Sequence, residues 1–375
     1  MKKYKRLNFL FVLENSKIGG PHLRVINFAN ELKKHHNTQV LASSYYSKEL
    51  KNILNKNNIK FDLLPLTWIT KEKKIFIKYV LFFFYEIFLI CKYLISNKID
   101  VVETSSGAYQ IKAAIACIFT KTKFIIHLND SYCPFIFKFV LLISSYFSLG
   151  VCCASDRTLN YYKKYISKPS VVIQAPINIH FFKKQKQRDS KFYIGTLCNI
   201  SPVKDLKLFL KIANEFQKNK SNKFKFVIFG KVFTNQKKYF KYLKDEITRL
   251  NLKNVQFITN KKNTKNFLKK LKYYICTSKN ESSPLAVWEA LSYGVPVFST
   301  DVGDLNKLLR FRKFKFVYNI RNEKIFFKNI MKFDYLDKRE KKTIIKKLTI
   351  IAKKNFHPKV CCSKHLKFIY KHLYN

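Results

Sequence analysis

Short runs of consecutive apolar residues alternate along the chain with longer stretches whose apolar positions recur every three or four residues. The short runs predict strands at 7–13 (LNFLFVL), 38–42, 60–64, 99–103 (IDVVE), 123–128 (KFIIHL), 149–154 and 170–174 (SVVIQ). A charged stretch, FFKKQKQRDSK at 181–191, then interrupts the pattern. It restarts with strands at 192–197 (FYIGTL), 224–229 (FKFVIF), 254–258 (NVQFI), 273–277 (YYICT), 296–299 (PVFS) and 315–318. Strands alternating with helices of about 10–15 residues imply parallel sheets covered on both faces. Two such runs joined by a basic linker imply two doubly wound α/β domains. Ligands in that architecture bind beyond the carboxyl ends of the strands, and a cleft between the two domains is the expected place. The last stretch, 337–374, is helical with no strand of its own and must pack on something already built.

Two apolar segments imitate targeting or membrane signals. The start, MKKYKRLNFLFVL, has a basic head, but its apolar run Leu7–Leu13 ends at Glu14 with no small-residue cleavage site after it. It reads as a first strand. The segment 75–95, IFIKYVLFFFYEIFLICKYLI, is long enough to span a bilayer. It carries Lys78, Glu86 and Lys92, and a charge at mid-span costs about 2.5–3.5 kcal/mol. At about 100° per residue the three fall within an arc of about 120°, so one helix with a single polar stripe is expected, in a core or at an interface. The uncharged run 139–155 reads as a buried helix followed by a short strand, VCCAS.

Charge and cysteine usage narrow the picture. The 375 residues hold 73 Lys and Arg against 23 Asp and Glu, a formal net charge of +50. Codon bias in an AT-rich genome would enrich Lys, Asn, Ile, Phe and Tyr without any function. The other reading is attraction to an anionic lipid surface, a nucleotide-bearing substrate or a nucleic acid. Nucleic acid is not expected as a partner, because there is no zinc-finger spacing, no RNP-like motif and no bounded basic arm. The nine cysteines include no C-x-x-C and the eight histidines no H-E-x-x-H. Reduced, buried thiols in a cytosolic compartment are expected, and neither a cofactor nor a metal.

The most informative stretch is TSKNESSPLAVWEALSYGVPVFSTDVG, 277–303, which parses as strand, loop, helix, strand. Ser283 suits the cap, Pro284 the first helical position, and Gly294 with Pro296 the helix end. Glu281 then lies in the loop and Glu289 on the second helical turn. The free N–H groups around Leu285 and Ala286 form an anion site. A carboxylate on either side of it suits a ligand with a central phosphate and hydroxyls at both ends, such as a nucleotide sugar. The same spacing also fits a surface helix whose glutamates only offset nearby lysines.

This segment resembles the E-x7-E signature of retaining glycosyltransferase family 4, the group 1 glycosyl transferases of GT-B fold. The likeness continues in order along the chain. SKIGGPHLRVINFANEL at 16–32 is similar to the family's first Gly-Gly loop and helix. KIDVVETSSGAYQIKAAIACIFTKTKFIIHLND at 98–130 resembles the strand–helix–strand that ends in the active-site histidine. SVVIQAPINIHFF at 170–182 resembles the strand entering the interdomain linker, and IGTLCNISPVKDLKLFL at 194–210 the opening of the second domain. KNFHPKVCCSKHLKFIYKHL resembles the last helix, which crosses back onto the first domain.

The resemblance implies an α/β GT-B protein of two doubly wound Rossmann-like domains facing a central cleft. An acceptor-side domain at 1–185, joined by a helix at 355–375, and a nucleotide-sugar domain at 190–335 are expected. It implies transfer of a glycosyl group from a nucleotide-diphosphate sugar with retained configuration. The acceptor would be a glycan or lipid-linked saccharide of a cell-surface polysaccharide, lipopolysaccharide or capsule. His127, Lys204 and Glu281 would be catalytic: His127 near the donor sugar, Lys204 on the leaving diphosphate and Glu281 on the sugar hydroxyls. Gly19, Gly20, Asn199, Lys204, Pro284, Leu285, Ala286 and Glu289 would bind the donor, with Glu289 on the ribose diol. Asn199 stands where many members carry Arg, and His22 and Leu23 replace a common acidic–basic pair. The basic surface and apolar helices place the protein at the cytoplasmic face of an anionic membrane. The alternative is a non-catalytic membrane-surface or nucleic-acid-binding protein that kept the fold.

Overall fold

The structure, a computed structural model, describes residues 5–69, 73–105, 110–182, 193–220, 223–259, 264–311 and 314–374. The chain divides into one unit of residues up to Ile177 together with those from Pro358 onward, and a second unit, Asn178–His357. Most of the basic stretch expected to link domains at 181–191 lies outside the described residues.

The first unit is built on β1 (Asn8–Leu13), β2 (Asn37–Ser43), β3 (Lys60–Leu64), β4 (Val101–Thr104), β5 (Lys123–Leu128), β6 (Gly150–Cys153) and β7 (Ser170–Val172). These form a parallel sheet in the order β3-β2-β1-β4-β5-β6-β7. The intervening helices are α1 (Gly20–Leu32), α2 (Lys48–Lys56), α3 (Lys73–Leu81), α4 (Phe83–Ser96), α5 (Ile111–Thr120), α6 (Phe135–Phe147) and α7 (Asp156–Tyr162). Alternate strand residues point to opposite faces, and each face is dry. Phe9, Phe11, Val40, Ile125 and Cys152 meet α1 and α2, while Leu10, Val12, Val102, Phe124 and Ile126 meet α4, α5 and α6.

The second unit repeats the plan with β8 (Tyr193–Leu197), α8 (Leu206–Lys218), β9 (Lys225–Gly230), α9 (Lys237–Arg249), β10 (Val255–Thr259), α10 (Thr264–Lys270), β11 (Leu271–Cys276), α11 (Leu285–Ser292), β12 (Val297–Thr300), α12 (Leu305–Leu308), β13 (Val317–Tyr318), α13 (Glu323–Tyr335) and α14 (Lys338–Phe356). Its parallel sheet runs β10-β9-β8-β11-β12-β13. Trp288 of α11 stacks on Phe356 of α14 with ring centroids 3.9 Å apart. The chain bends at His357, and α15 (Pro358–Leu373) packs on α1 of the first unit. The strands expected from the apolar runs are present, with no end displaced by more than two residues.

Two helical expectations are corrected. The segment 75–95 is not one helix, because α3 and α4 meet at a break at Phe82. Lys78 and Lys92 are exposed, while Glu86 is buried and paired with Lys112 of α5. The three charged residues therefore do not share one wet face. The run 139–155 does give a helix and a strand, but α6 is not a buried helix. Phe139, Ile143, Tyr146 and Phe147 face outward.

Candidate active site

In the second unit the strand order reverses between β8 and β11, and in open α/β sheets the crevice that binds ligands lies at the carboxyl ends of the two strands flanking such a reversal. Lys204 closes the first loop, in the short 3-10 turn Pro202–Lys204. Glu281 lies in the second loop, and the two side chains form an ion pair, Nζ to Oε1. Ser278 Oγ donates to the same carboxylate oxygen at 3.0 Å. The loops are also tied through their backbones. Lys279 N–H donates to Val203 O at 2.7 Å, and Thr277 Oγ1 donates to Lys204 O at 2.8 Å. Behind them Thr300 Oγ1 donates to Ser278 O at 2.7 Å, and Arg321 pairs with Asp205 while donating to Thr277 O at 3.0 Å. Burial works against the Lys204 ammonium, but the Glu281 carboxylate outweighs it and holds the lysine above its ordinary pKa.

The helix after Glu281 begins one residue later than the sequence suggests. Pro284 is the N-cap rather than the first helical residue, and no side chain caps α11. Ser283 stands one position too early to reach the first-turn amides, and among the described residues its buried hydroxyl has no partner. Val287 N–H donates to Pro284 O at 3.0 Å, while the N–H groups of Leu285 and Ala286 lie beyond the reach of any carbonyl within the helix. The helix stops at Gly294, whose φ of +72° favours glycine, and Val295 N–H closes back on Ala290 O at 3.0 Å. Glu289 sits half-buried on the second turn. Desolvation pushes its carboxyl up to about 8, and among the described residues it has no ion-pair or hydrogen-bond partner.

Two glycines shape this crevice. A Cβ on Gly230, at the end of β9, would stand 1.8 Å from Cys198 O in the loop that leads to the exposed Asn199 and on to Lys204. Gly303 has a φ of +53°, and a Cβ there would stand 2.5 Å from Ser282 O. Sequence reasoning quoted Ser278, Thr300 and Gly303 only as part of a motif, with no role, and missed Gly230 and Arg321 altogether. For Gly230 the available signal was a glycine closing a strand of large apolar residues.

The first unit carries the other named residues. Gly19 precedes α1, and a Cβ on it would meet nothing beyond its chain neighbours closer than Pro21 Cδ at 3.9 Å. Packing therefore does not demand a glycine at this position, which leaves room in front of Gly19 and Gly20. His22 fixes the turn: its Nδ1 accepts from Gly19 N–H at 3.2 Å, and its Nε2 lies 2.9 Å from Asn15 O. Burial lowers its pKa, which suits the neutral tautomer those contacts require.

His127 ends β5 beside Cys152 and is fully buried. Burial first, then the Arg24 guanidinium, hold its pKa well below the ordinary value. Among the described residues neither ring nitrogen has a hydrogen-bond partner. Contact between this imidazole and a donor sugar therefore requires the side chain to be uncovered. Two buried charge clusters in the same unit were not foreseen. Arg24 pairs with Glu103, and His365 Nε2 of α15 lies 2.8 Å from the second oxygen of that carboxylate. Lys112 pairs with Glu86 and lies 3.7 Å from Glu14 at the end of β1. Burial, only partly offset by Lys112, pushes the Glu14 carboxyl up to about 7.

Two parallel sheets covered by helices are the GT-B fold, and solved structures agree. The chain aligns over 97% of its length and 100% of the other with HepE from Anabaena, crystallised with UDP and glucose, at 17% identity and a TM-score of 0.79. A glycosyltransferase from Rickettsia africae ESF-5 aligns over 99% of this chain and 100% of its own at 18% identity, with a TM-score of 0.80. The lipopolysaccharide outer core galactosyltransferase WaaB, in its apo form, gives 13% identity and a TM-score of 0.67 over 97% and 99%. At such identities the likeness shows the fold. A sequence profile of the family described as Glycosyl transferases group 1 matches residues 178–347, nearly all of the second unit and just under half of the chain. No curated protein sequence matches the chain.

Proposed function

We propose that the protein is a retaining glycosyltransferase that moves a sugar from a nucleotide-diphosphate donor to a glycan or lipid-linked saccharide at the cytoplasmic face of a membrane. The product would be a cell-surface polysaccharide such as lipopolysaccharide or capsule. One observation carries the reading: at the crevice of the second sheet, Lys204 and Glu281 are held together by two interlocked loops. The same loop continues into an uncapped helix start and an unpartnered Glu289. The family profile over 178–347 and the UDP bound by HepE support the donor class.

In this reading Lys204 and the amides of Leu285 and Ala286 take the charge that builds on the departing diphosphate, the largest electrostatic contribution available to such a site. Glu289 accepts hydrogen bonds from the ribose diol, Asn199 adds a neutral contact to the phosphates, and Glu281 orients the sugar hydroxyls. The bond from the anomeric carbon to the phosphate oxygen breaks. A bond to the acceptor oxygen forms on the same face, and the acceptor proton passes to the departing phosphate. His127, once uncovered, offers a neutral imidazole to the sugar. Gly19 and Gly20, before and at the start of α1, let the backbone come close to the diphosphate or acceptor. Neither a nucleophile nor a metal is assigned.

The test is a thermal-shift panel of nucleoside diphosphates and nucleotide sugars, repeated with Glu289→Ala. Stabilisation by at least one of them, lost in the variant, is expected. A panel in which none stabilises the folded protein would overturn the reading.

A further inference from the structure

The outward side of the helical layer α3–α6 is apolar where a surface should be polar. Helices α4, α5 and α6 cover one face of the first sheet through Ile90, Ala113, Cys117 and Leu141, and α5 packs between α4 and α6. The opposite sides of α4 and α6 expose Phe84, Phe88, Phe139, Tyr146 and Phe147, and α3 exposes Leu81, each at least 55% accessible. Most of the large apolar side chains exposed anywhere in the described chain lie between Phe76 and Phe147. Soluble monomers rarely present such a contiguous patch unless something binds it.

The charge around this face identifies the occupant. The only acidic residue in α3, α4, α5 and α6 is Glu86, and it is buried against Lys112. The cations, in contrast, stand outside: Lys74, Lys78 and Lys92 are exposed. Lys168 lies over the Tyr146 ring at 5.6 Å, and Lys138 over that of Tyr161 at 4.5 Å. An apolar, aromatic surface rimmed by lysines, with no exposed carboxylate on α3, α4, α5 or α6 among the described residues, matches the boundary between lipid headgroups and acyl chains. Among the described residues no helix is long and apolar enough to cross a membrane, so the face lies on the bilayer rather than through it.

We infer that the outward sides of α3, α4 and α6 form a docking face for a bilayer containing anionic lipid, with aromatic side chains inserted and lysines against the headgroups. The inference deepens the membrane part of the proposed function by naming the surface and its mode of binding. It separates two contributions. Lysine attraction is screened by salt, whose Debye length falls to about 3 Å at 1 M, while apolar insertion is not.

The full chain should be floated with vesicles of phosphatidylcholine alone and of phosphatidylcholine with about one third phosphatidylglycerol, at low salt and at 1 M salt. Binding to the mixed vesicles at least tenfold tighter than to the neutral ones is expected at low salt, with a measurable fraction retained at 1 M. A variant carrying Phe84→Ser, Phe88→Ser, Phe139→Ser and Phe147→Ser should lose the salt-resistant fraction and bind at least tenfold more weakly at low salt. Circular dichroism and an unchanged melting temperature would show that it is folded. Equal vesicle binding by wild type and variant overturns the inference, as does no binding to anionic vesicles at low salt. So does a wild-type dimer that the four substitutions dissociate while vesicle binding stays the same, because the face would then serve a second copy of the chain. Nucleotide stabilisation reports separately on the transferase reading: vesicle binding without it sinks that reading and leaves this one standing.

Discussion

Glu281 holds Lys204 in an ion pair at the point where the strand order of the second sheet reverses, although 77 residues separate them. Each loop leaves a strand and enters a helix, β8 to α8 and β11 to α11, and neither contains a regular element longer than one turn. The pairing depends on the backbone bond from Lys279 to Val203 and on Thr277 reaching Lys204 O. A cation so placed is oriented before any ligand arrives.

From this pair follows the first expectation. Lys204→Ala should lower turnover by about 10²–10³, the usual effect of removing one preorganised stabilising donor. The melting temperature should change little, since a partly exposed ion pair contributes at most about 1 kcal/mol. Glu281→Ala should leave nucleoside diphosphate affinity nearly unchanged yet cripple transfer, because the proposed function sets it against the sugar and not the nucleotide. Steady-state kinetics with calorimetric nucleotide titration checks both. Equal losses of nucleotide affinity in Glu281→Ala and Glu289→Ala would end the assignment of separate roles.

The raised carboxyl of Glu289 gives a pH signature. Its ordinary value is 4.5 and its folded value about 8. Below the first, both folded and unfolded chains hold the proton. Between the two, the unfolded chain releases it and the folded chain keeps it, so stability falls as pH rises through that window. Glu289→Gln should therefore raise the melting temperature near the upper end and change little near the lower. Hydrogen bonds from a ribose diol favour the charged form, so nucleotide binding should release a proton and tighten with pH over the same window. Calorimetry in buffers of different ionisation enthalpy measures that proton. A pH-independent affinity would remove Glu289 from the diol.

Much of this architecture is legible in the sequence because fully buried parallel strands leave continuous apolar runs bounded by turns. Thirteen such runs became thirteen strands, and the loop bearing Glu281 falls where the apolar run of β11 stops. What stayed hidden depends on neighbours distant in sequence. Glu86 points inward to Lys112, a partner 26 residues away that no local pattern reveals. The exposed side of α6 was hidden for the opposite reason. An apolar run reads as buried, and only the structure shows that no element among the described residues covers it. Ser283 was offered as a cap because capping follows sequence position, and a shift of one residue in the helix start removes it.

The close approach at Gly230 predicts an effect on the site from a residue outside it. Gly230→Ala would drive a methyl into Cys198 O, a backbone atom that cannot swing aside. Either β9 or the β8 loop must shift, and that loop carries Asn199 and Lys204. The variant should lose nucleoside diphosphate affinity by at least tenfold, with a destabilisation of about 1–3 kcal/mol typical of overpacking. Gly195→Ala is a useful comparison. It too would clash, but first with the Leu271 and Phe267 side chains, so it should lower stability with less effect on affinity. The reverse ranking of the two affinities would separate Gly230 from the site.

The Arg24–Glu103 pair predicts acid sensitivity in the first unit. Both side chains are essentially inaccessible, and His365 of α15 closes the far side of the carboxylate. Burial alone would raise the Glu103 pKa, but Arg24 and then His365 outweigh it and hold the carboxyl well below the ordinary value of 4.5. A depressed carboxyl contributes stability above its unfolded value and loses it as pH falls through the folded one. Wild-type stability should therefore drop as pH falls below about 4.5, and Glu103→Gln should flatten that slope. At neutral pH, Glu103→Gln should destabilise by about 3–5 kcal/mol because Arg24 is left buried without a countercharge. Replacing both with apolar residues of similar volume, Arg24→Met with Glu103→Leu, should recover most of that loss. Urea unfolding at a series of pH values gives all three quantities. A single substitution as mild as the double one would show that Arg24 finds another partner and that the pair does not anchor α15.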